Sequence, residues 1–493
     1  MPLLTILVVL LAVQAVPWPA PLVGREWWHV VGITILVASI PVLFMANVSV
    51  RVVNGLRRQP LRRGTAARRL ERGRMIGFLL NLAGLGVSLG VAGWGWLVWQ
   101  IGSPGKLYPF VELLVPLPMI VATMLSWLVT YPAERALFNS SPIASPVPFF
   151  SPLAYMWFKF RFYSLFVLFP VFLSAGQQSF SRFFPAYAEH PLTVAFGIFC
   201  VLGLFVFLPL VVPRVFGWVR MHDDAVRERL ERLAKRANFR YRELYVWPTR
   251  GSMANALVLG IIPQARFVVF TDKLLDSLDA NELDSVFGHE IGHVHHGHIP
   301  YYALFLVLSG TAITAGVAAI LEWMKPYGFV VPEEYQAWIV PIPIVALGVY
   351  LFLAFGYLSR RCERQADLFG CKSVSCANPK CTGHDEETVF PTTIGTLCPT
   401  GLRTFSTALD RVVGADAERP KGWAKLWAMV RSWQHGPPGD RISYLLGLVE
   451  KPENEPRFQR RVFALRIAIV IVLTAITAGL VWSIGWRQVL NGL

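Results

Sequence analysis

The sequence predicts a mainly α-helical polytopic membrane protein of eight or nine spans, with a small α+β domain on the cytoplasmic side. Of its 493 residues, 54% are hydrophobic and only 16% charged, and the mean hydropathy is +0.48, which is too apolar for a soluble globular chain. The apolar residues gather in windows of about 20, the length that crosses a bilayer. Two polar blocks lie between the later windows, and the first mixes strand-like and helix-like patterns.

Eight windows meet the length requirement: 28–49, 75–100, 109–130, 153–175, 192–214, 301–323, 337–358 and 462–486. The run Leu3 to Val16 is apolar but short and lacks a basic leading segment, so it reads as a ninth span in preference to a cleaved leader. The domain plan that follows is an N-terminal membrane region over 1–214, a polar block over 215–300, two spans over 301–358, a second polar block over 359–461 and a last span over 462–493. Lys159 and Arg161 fall inside an apolar window, where a charge at midplane costs about 2.5 to 3.5 kcal/mol. Both are expected to reach up to the interface.

The formal charge of +15 is concentrated: nine arginines and one glutamate lie between Arg51 and Arg74, in what reads as a loop between two spans. A basic loop of this kind fixes orientation by staying cytoplasmic, which accounts for it without a nucleic-acid partner. Strict alternation of the spans then puts both polar blocks on the cytoplasmic side, where Arg214, Arg220, Arg360 and Arg361 flank the membrane ends. Six cysteines are too few for a secreted disulfide framework.

In the first polar block, Asp223-Asp224 precedes Val226, Leu230, Leu233 and Ala237 at helical spacing. Leu244 to Trp247, Asn255 to Gly260 and Arg266 to Phe270 read as short strands. Asp279 followed by Glu282 is a capping-box pattern. Leu283, Val286, Phe287, Ile291 and Val294 then mark one apolar helix face, and Gly297 with Pro300 closes the helix before the next span.

On that helix lies His289-Glu290-Ile291-Gly292-His293. Histidines four apart share a helix face, so His289 and His293 can hold one zinc ion, with Glu290 beside them as a general base. Five of the ten histidines fall between His289 and His298. Catalytic zinc commonly takes three protein ligands and leaves a position for water. The third ligand expected here is Glu363 in Ser359 to Asp367, a helical extension of the 337–358 span. Asp367 is one turn beyond Glu363 and suited to hold a ligand histidine by its other ring nitrogen. Spacing excludes a metzincin, which would need glycine at 296 and histidine at 299 where this chain has His296 and Ile299. His295, His296 and His298 could extend the metal site, since His296 is two turns from His289 on nearly the same face, but solvated or helix-terminal histidines are the favoured reading; His298 is the one to test first.

At these residues the chain resembles the membrane zinc metallopeptidases that include the type 1 CAAX prenyl endopeptidases and the HtpX heat-shock proteases. The matching pieces are Asn255-Ala256, Phe267 to Leu275, His289 to His293, two intervening spans, Glu363 with Ala366-Asp367, and His435-Gly436-Pro437-Pro438-Gly439-Asp440-Arg441-Ile442, across roughly 215–450. The resemblance implies a zinc-metallopeptidase domain with His289, His293 and Glu363 as ligands, Glu290 as base and Asp367 supporting a ligand. It also implies that His435 and Arg441 stabilise an oxyanion or hold substrate and that Asn255 contacts substrate backbone. The partners implied are the bilayer and membrane-associated or unfolded polypeptides, and the expected location is a bacterial inner membrane with the site facing the cytoplasm. The segment Val294 to His298 and the insert after Asp367 depart from the family pattern. That insert brings Cys371, Cys376, Cys381 and Cys398 together with His384, a candidate second, structural zinc site whose spacing lacks a tight paired-cysteine knuckle. A catalytically silent membrane scaffold and a transporter are the rival classes. The complete hydrolase constellation disfavours both, and no repeated halves suggest transport.

Overall fold

In the computed structural model the described residues are 18–59, 63–101, 111–140, 148–164, 175–188, 203, 206–327, 346–383, 393–413 and 433–485, isolated positions within those ranges excepted. The chain divides into two compact units, residues 1–197 with 321–348 and residues 198–320 with 349–493. Both are mainly helical.

In the first unit, α1 spans Trp27–Arg58, α2 Arg63–Gly90, α3 Trp94–Ile101, α4 Leu117–Asn139 and α5 Pro152–Tyr163. The stretch from Arg51 to Arg74 is therefore mostly helix and not the loop expected there, with α1 running to Arg58 and α2 starting at Arg63. Arginine is a good helix former, so α1 and α2 continue past their apolar parts. The 75–100 window is broken near Gly93, which separates α2 from α3. Glu134 on α4 accepts from Arg74 and from the Tyr155 hydroxyl, and Lys159 Nζ stands 3.6 Å from it. Lys159 is thus charge-paired inside its unit, which explains how a lysine is tolerated in an apolar window.

Four described helices are long and apolar enough to cross a membrane: α1, α2, His298–Met324 and Asn454–Ser483; a shorter apolar helix covers Val206–Phe216. The run Leu3 to Val16, residues 165–174 of the 153–175 window, residues 192–202 and the first part of the 337–358 window lie outside the described residues.

The second unit opens with β1, Val219–Arg220, a strand that the sequence pattern had not suggested. It continues through α6 Asp224–Arg236, β2 Glu243–Trp247, β3 Ala256–Leu259, β4 Phe267–Thr271, α7 Asp272–Ser277 and α8 Ala280–His295. The sheet order is β1-β2-β4-β3, with β2 parallel to β4 and β3 antiparallel to it. Strand β3 is therefore an edge. The core beneath the sheet joins Leu230 and Leu233 of α6, Leu244, Val268 and Phe270 of the strands and Leu283, Phe287 and Ile291 of α8. Burying a side chain such as Phe287, which is 0% exposed, contributes about 1.5 to 3 kcal/mol. This apolar stripe fixes the rotation of α8, so His289 and His293 must face away from the sheet.

Helix α8 begins with a complete capping box: Asp279 accepts from the Glu282 backbone and the Glu282 carboxylate accepts from the Asp279 backbone. The next helix, α9, is His298–Met324 and starts three residues earlier than the span expected near Tyr301. Pro300 lies in its first turn, where a missing N–H costs nothing. A π-helical turn over Leu351–Phe355 leads into α10, Gly356–Ser373. Helices α11 Pro399–Val413, α12 Pro438–Glu450 and α13 Asn454–Ile484 complete the unit.

Candidate active site

Helices α8 and α10 cross at two glycines. A methyl group added to Gly292 would lie 2.9 Å from Ala366 Cα and 2.9 Å from Phe369 Cβ, and one added to Gly288 would run into Ser373. With no side chain in the way, the polar face of α8 meets that of α10, and Glu363 is brought to the two histidines.

His289 Nε2 and His293 Nε2 are 3.2 Å apart. Glu363 Oε2 is 3.7 Å from His289 Nε2, and Glu363 Oε1 is 3.6 Å from His293 Nε2. Donors about 2.0 to 2.1 Å from a tetrahedral zinc stand roughly 3.3 Å from one another, so these spacings fit such an ion. Glu363 Oε2 is moreover buried without a hydrogen-bond partner, a costly condition for a carboxylate that nothing coordinates. The donor set suits zinc.

The charge states of His293 and Glu363 agree with that use, because ligands must be deprotonated, whereas for His289 burial is outweighed by the hydrogen bond and charge of Asp367, which raise it. Burial pushes His293 down to about 4 and keeps it neutral. Burial acts to raise Glu363, but the hydrogen bond from His435 and the nearby His293 and Arg441 outweigh it and hold the carboxyl well below its ordinary range. Glu290 is different. Burial raises it to about 7, the range in which a carboxylate can take up and release a proton near neutrality.

Each ligand is held from behind. Asp367 Oδ1 stands 2.9 Å from His289 Nδ1. Arg441 grips Asp367 through both oxygens, with Nε 2.8 Å from Oδ2 and Nη2 bonded to Oδ1. Arg441 is thus turned to Asp367, with its remaining approach, 3.7 Å, to Glu363. The expectation that it stabilises an oxyanion or holds substrate is not what this geometry favours. His435 Nδ1 lies 3.0 Å from Glu363 Oε1 while its side chain is 64% exposed, so it borders the open side of the site. Asn255 precedes edge strand β3 and is exposed, its backbone locked to Thr271 on β4 by N–H to Oγ1 at 2.9 Å and by O to N–H at 3.0 Å.

Residues 221–384 match the sequence model of peptidase family M48. The chain carries an M48 peptidase domain. The HtpX protease homologue of Methanocaldococcus jannaschii is 29% identical over 158 residues, 30% of this chain and 52% of that protein. CAAX prenyl protease 1 of Saccharomyces cerevisiae is 24% identical over 194 residues, 35% of this chain and 43% of that protein. The chain therefore matches about half of the length of these relatives. The crystal structure of S. mikatae Ste24p superposes with a TM-score of 0.51 at 15% identity, covering 84% of this chain and 99% of that one, a likeness of fold.

Two further residues pack against these donors: His298, which the sequence marks as the first of the extra histidines to test, and Phe405, which it does not single out. His298 is 0% exposed; its Nδ1 is 3.0 Å from His293 Nδ1 and its Nε2 3.1 Å from Gln365 Oε1, and Gln365 Nε2 donates onward to Gln459 at 2.5 Å. A zinc ion held by His293 Nε2 would leave the proton on Nδ1, from which it would be donated to His298, whose Nε2 would donate in turn to Gln365. His298 is thus to His293 what Asp367 is to His289, and not the solvated residue expected. The second contributor is Phe405 on α11, whose ring stacks on His289 at 6.1 Å between centroids and 26° between planes. His296 is absent from the group around His289 that could hold a metal ion, which among the described residues is His289, His293 and Glu363. His384 lies outside the described residues.

Proposed function

We propose that this chain is a membrane-integrated zinc-dependent endopeptidase. The observation that carries the reading is the convergence of His289 Nε2, His293 Nε2 and Glu363 at tetrahedral spacing, with Glu290 next to His289 and poised near neutrality. Zinc bound to His289, His293 and Glu363 would supply Lewis acidity toward a peptide carbonyl and toward water. Glu290 takes the proton of the attacking water and delivers it to the leaving amine. An extended substrate lies along the free edge of β3, where main-chain hydrogen bonds hold it in β-augmentation, and Asn255 meets its backbone. His435, at the open rim, is placed to donate to the carbonyl oxygen as charge develops there. Arg441 keeps Asp367 ionised and aimed at His289.

The peptidase domain consists of residues 215–300 and 359–461, joined by the membrane pair 301–358; residues 1–214 and 462–493 complete the membrane part. The basic segment from Arg51 to Arg74 orients the domain toward the cytoplasm, and a bacterial inner membrane is the proposed location. Substrates are membrane-associated or unfolded polypeptides, since helices flank the site and an edge strand takes only extended chain. Cleavage of an unfolded polypeptide by the purified protein in detergent, abolished by a chelator and by Glu290→Gln, is the expected result. Equal activity of wild type and Glu290→Gln rejects the mechanism.

A further inference from the structure

Beyond the catalytic centre, the described residues contain one more group of metal-type donors. The Sγ atoms of Cys376, Cys381 and Cys398 all lie within 4.8 Å of one another, and no disulfide links them. Cys371, the fourth member of the cluster seen in the sequence, belongs elsewhere: it is fully buried on α10 among Leu402, Phe405 and Leu445. Three thiolates at about 2.3 Å from a tetrahedral zinc would stand roughly 3.8 Å apart, so the cluster needs little movement to close on an ion.

The backbone around the thiols is built as a knuckle. Cys376 follows the end of α10, and Asn378 turns the chain by accepting from the backbone N–H groups of Lys380 at its side chain, 3.0 Å, and of Cys381 at its carbonyl, 3.2 Å. The returning strand is pinned by Gly395 N–H to Lys372 O at 3.2 Å and Thr396 N–H to Cys376 O at 3.0 Å. Cys398 sits just ahead of α11, and its Sγ accepts from the Gly401 N–H at 3.4 Å, the kind of contact that orients a metal-binding thiolate. A side chain at Gly395 or Gly401 would collide with Ser375, so the two passes of chain are in direct backbone contact. Thiols packed this closely in a tight double turn gain little as apolar filling, since Cys376 and Cys381 are both partly exposed.

We propose that Cys376, Cys381 and Cys398 bind a structural zinc ion, with one coordination position left to a fourth donor. The ion ties the end of α10, which carries Glu363 and Asp367, to the start of α11, which carries Phe405 against His289. It is separate from the catalytic centre and does not depend on the protease reading.

The test is native mass spectrometry of the full-length protein in detergent, run on wild type, Cys376→Ser/Cys398→Ser and Glu363→Ala. Wild type is expected to carry two zinc ions, and each variant to lose one. A zinc that survives in Glu363→Ala but not in the cysteine variant supports this site even if the catalytic reading fails. Zinc lost in Glu363→Ala with none lost in the cysteine variant overturns it. Should the cysteine variant not fold, the chelated wild-type protein is titrated with Co²⁺: a sulfur-to-cobalt charge-transfer band supports the site and its absence overturns it. A disulfide between any two of the three cysteines, found after alkylation without reductant, also overturns it.

Discussion

Replacing Gly292 with alanine tests the helix crossing on which the whole donor set depends. The added methyl would lie 2.9 Å from Ala366 Cα, a backbone atom that cannot swing aside. Carbon atoms prefer separations of about 3.5 to 4.0 Å, so α10 must retreat by roughly 0.6 to 1.1 Å. Glu363 is one turn before Ala366 on the same helix and retreats with it. Metal–ligand distances tolerate only about 0.2 Å, so the carboxylate leaves bonding range while the two histidines stay. The overpacking itself costs about 1 to 3 kcal/mol, too little to unfold a domain with the core described above. Gly292→Ala is therefore expected to fold, as judged by its circular dichroism and gel-filtration profile in detergent, yet to lose bound zinc on dialysis and to lose cleavage with it. Retention of zinc with wild-type affinity, measured by chelator competition, would refute the close-crossing argument.

Arg441→Met should weaken zinc binding by about 10- to 100-fold through the loss of support to Asp367 and destabilise the fold by about 3 to 5 kcal/mol, because it strands a buried carboxylate. Unchanged affinity with a reduced kcat would return Arg441 to a role on substrate. His298→Phe removes the partner of His293 Nδ1, and the same competition assay should show a loss of similar size; no change would mean that the contact to Gln365 is incidental. As for pH, Glu290 must be ionised to accept a proton, so activity falls as pH falls through its pKa. Burial, opposed by His289 and reinforced by the Glu363 carboxylate, raises that pKa to about 7 from an ordinary 4.5, and a neighbouring cation lowers it. The acid limb of kcat/KM is expected between about 4.5 and 7, and a limb above 7 would be inconsistent with Glu290 as the base.

Much of the site is legible in the sequence because helix periodicity is local. The capping box at Asp279 and Glu282, the stripe of Leu283, Phe287 and Ile291, and the four-residue spacings of His289 with His293 and of Glu363 with Asp367 need no tertiary knowledge. The long-range choices are not local. Whether Arg441 faces substrate or Asp367 depends on how α12 packs on α10, and a Pro-Gly loop ahead of it gives no period to read. His298 looked like a helix-end residue because it follows Gly297; only the packing of α9 against α10 and α13 buries it beside Gln365. The break near Gly93 and the helical course of Arg51 to Arg74 were hidden for the opposite reason, since hydropathy reports what a segment contacts and not where its hydrogen bonds stop.

The order in which the ligands occur along the chain also bears on biosynthesis. His289 and His293 leave the ribosome first, and Glu363 follows 70 positions after His293. On the proposed reading, α9 and the 337–358 span are threaded into lipid during that interval. A nascent chain thus passes through its most vulnerable, unfolded stage with two histidines and no carboxylate between them, too few donors for a competent centre. On the proposed reading, the catalytic centre is incomplete until Glu363 has been made, which guards the nascent chain against cutting itself.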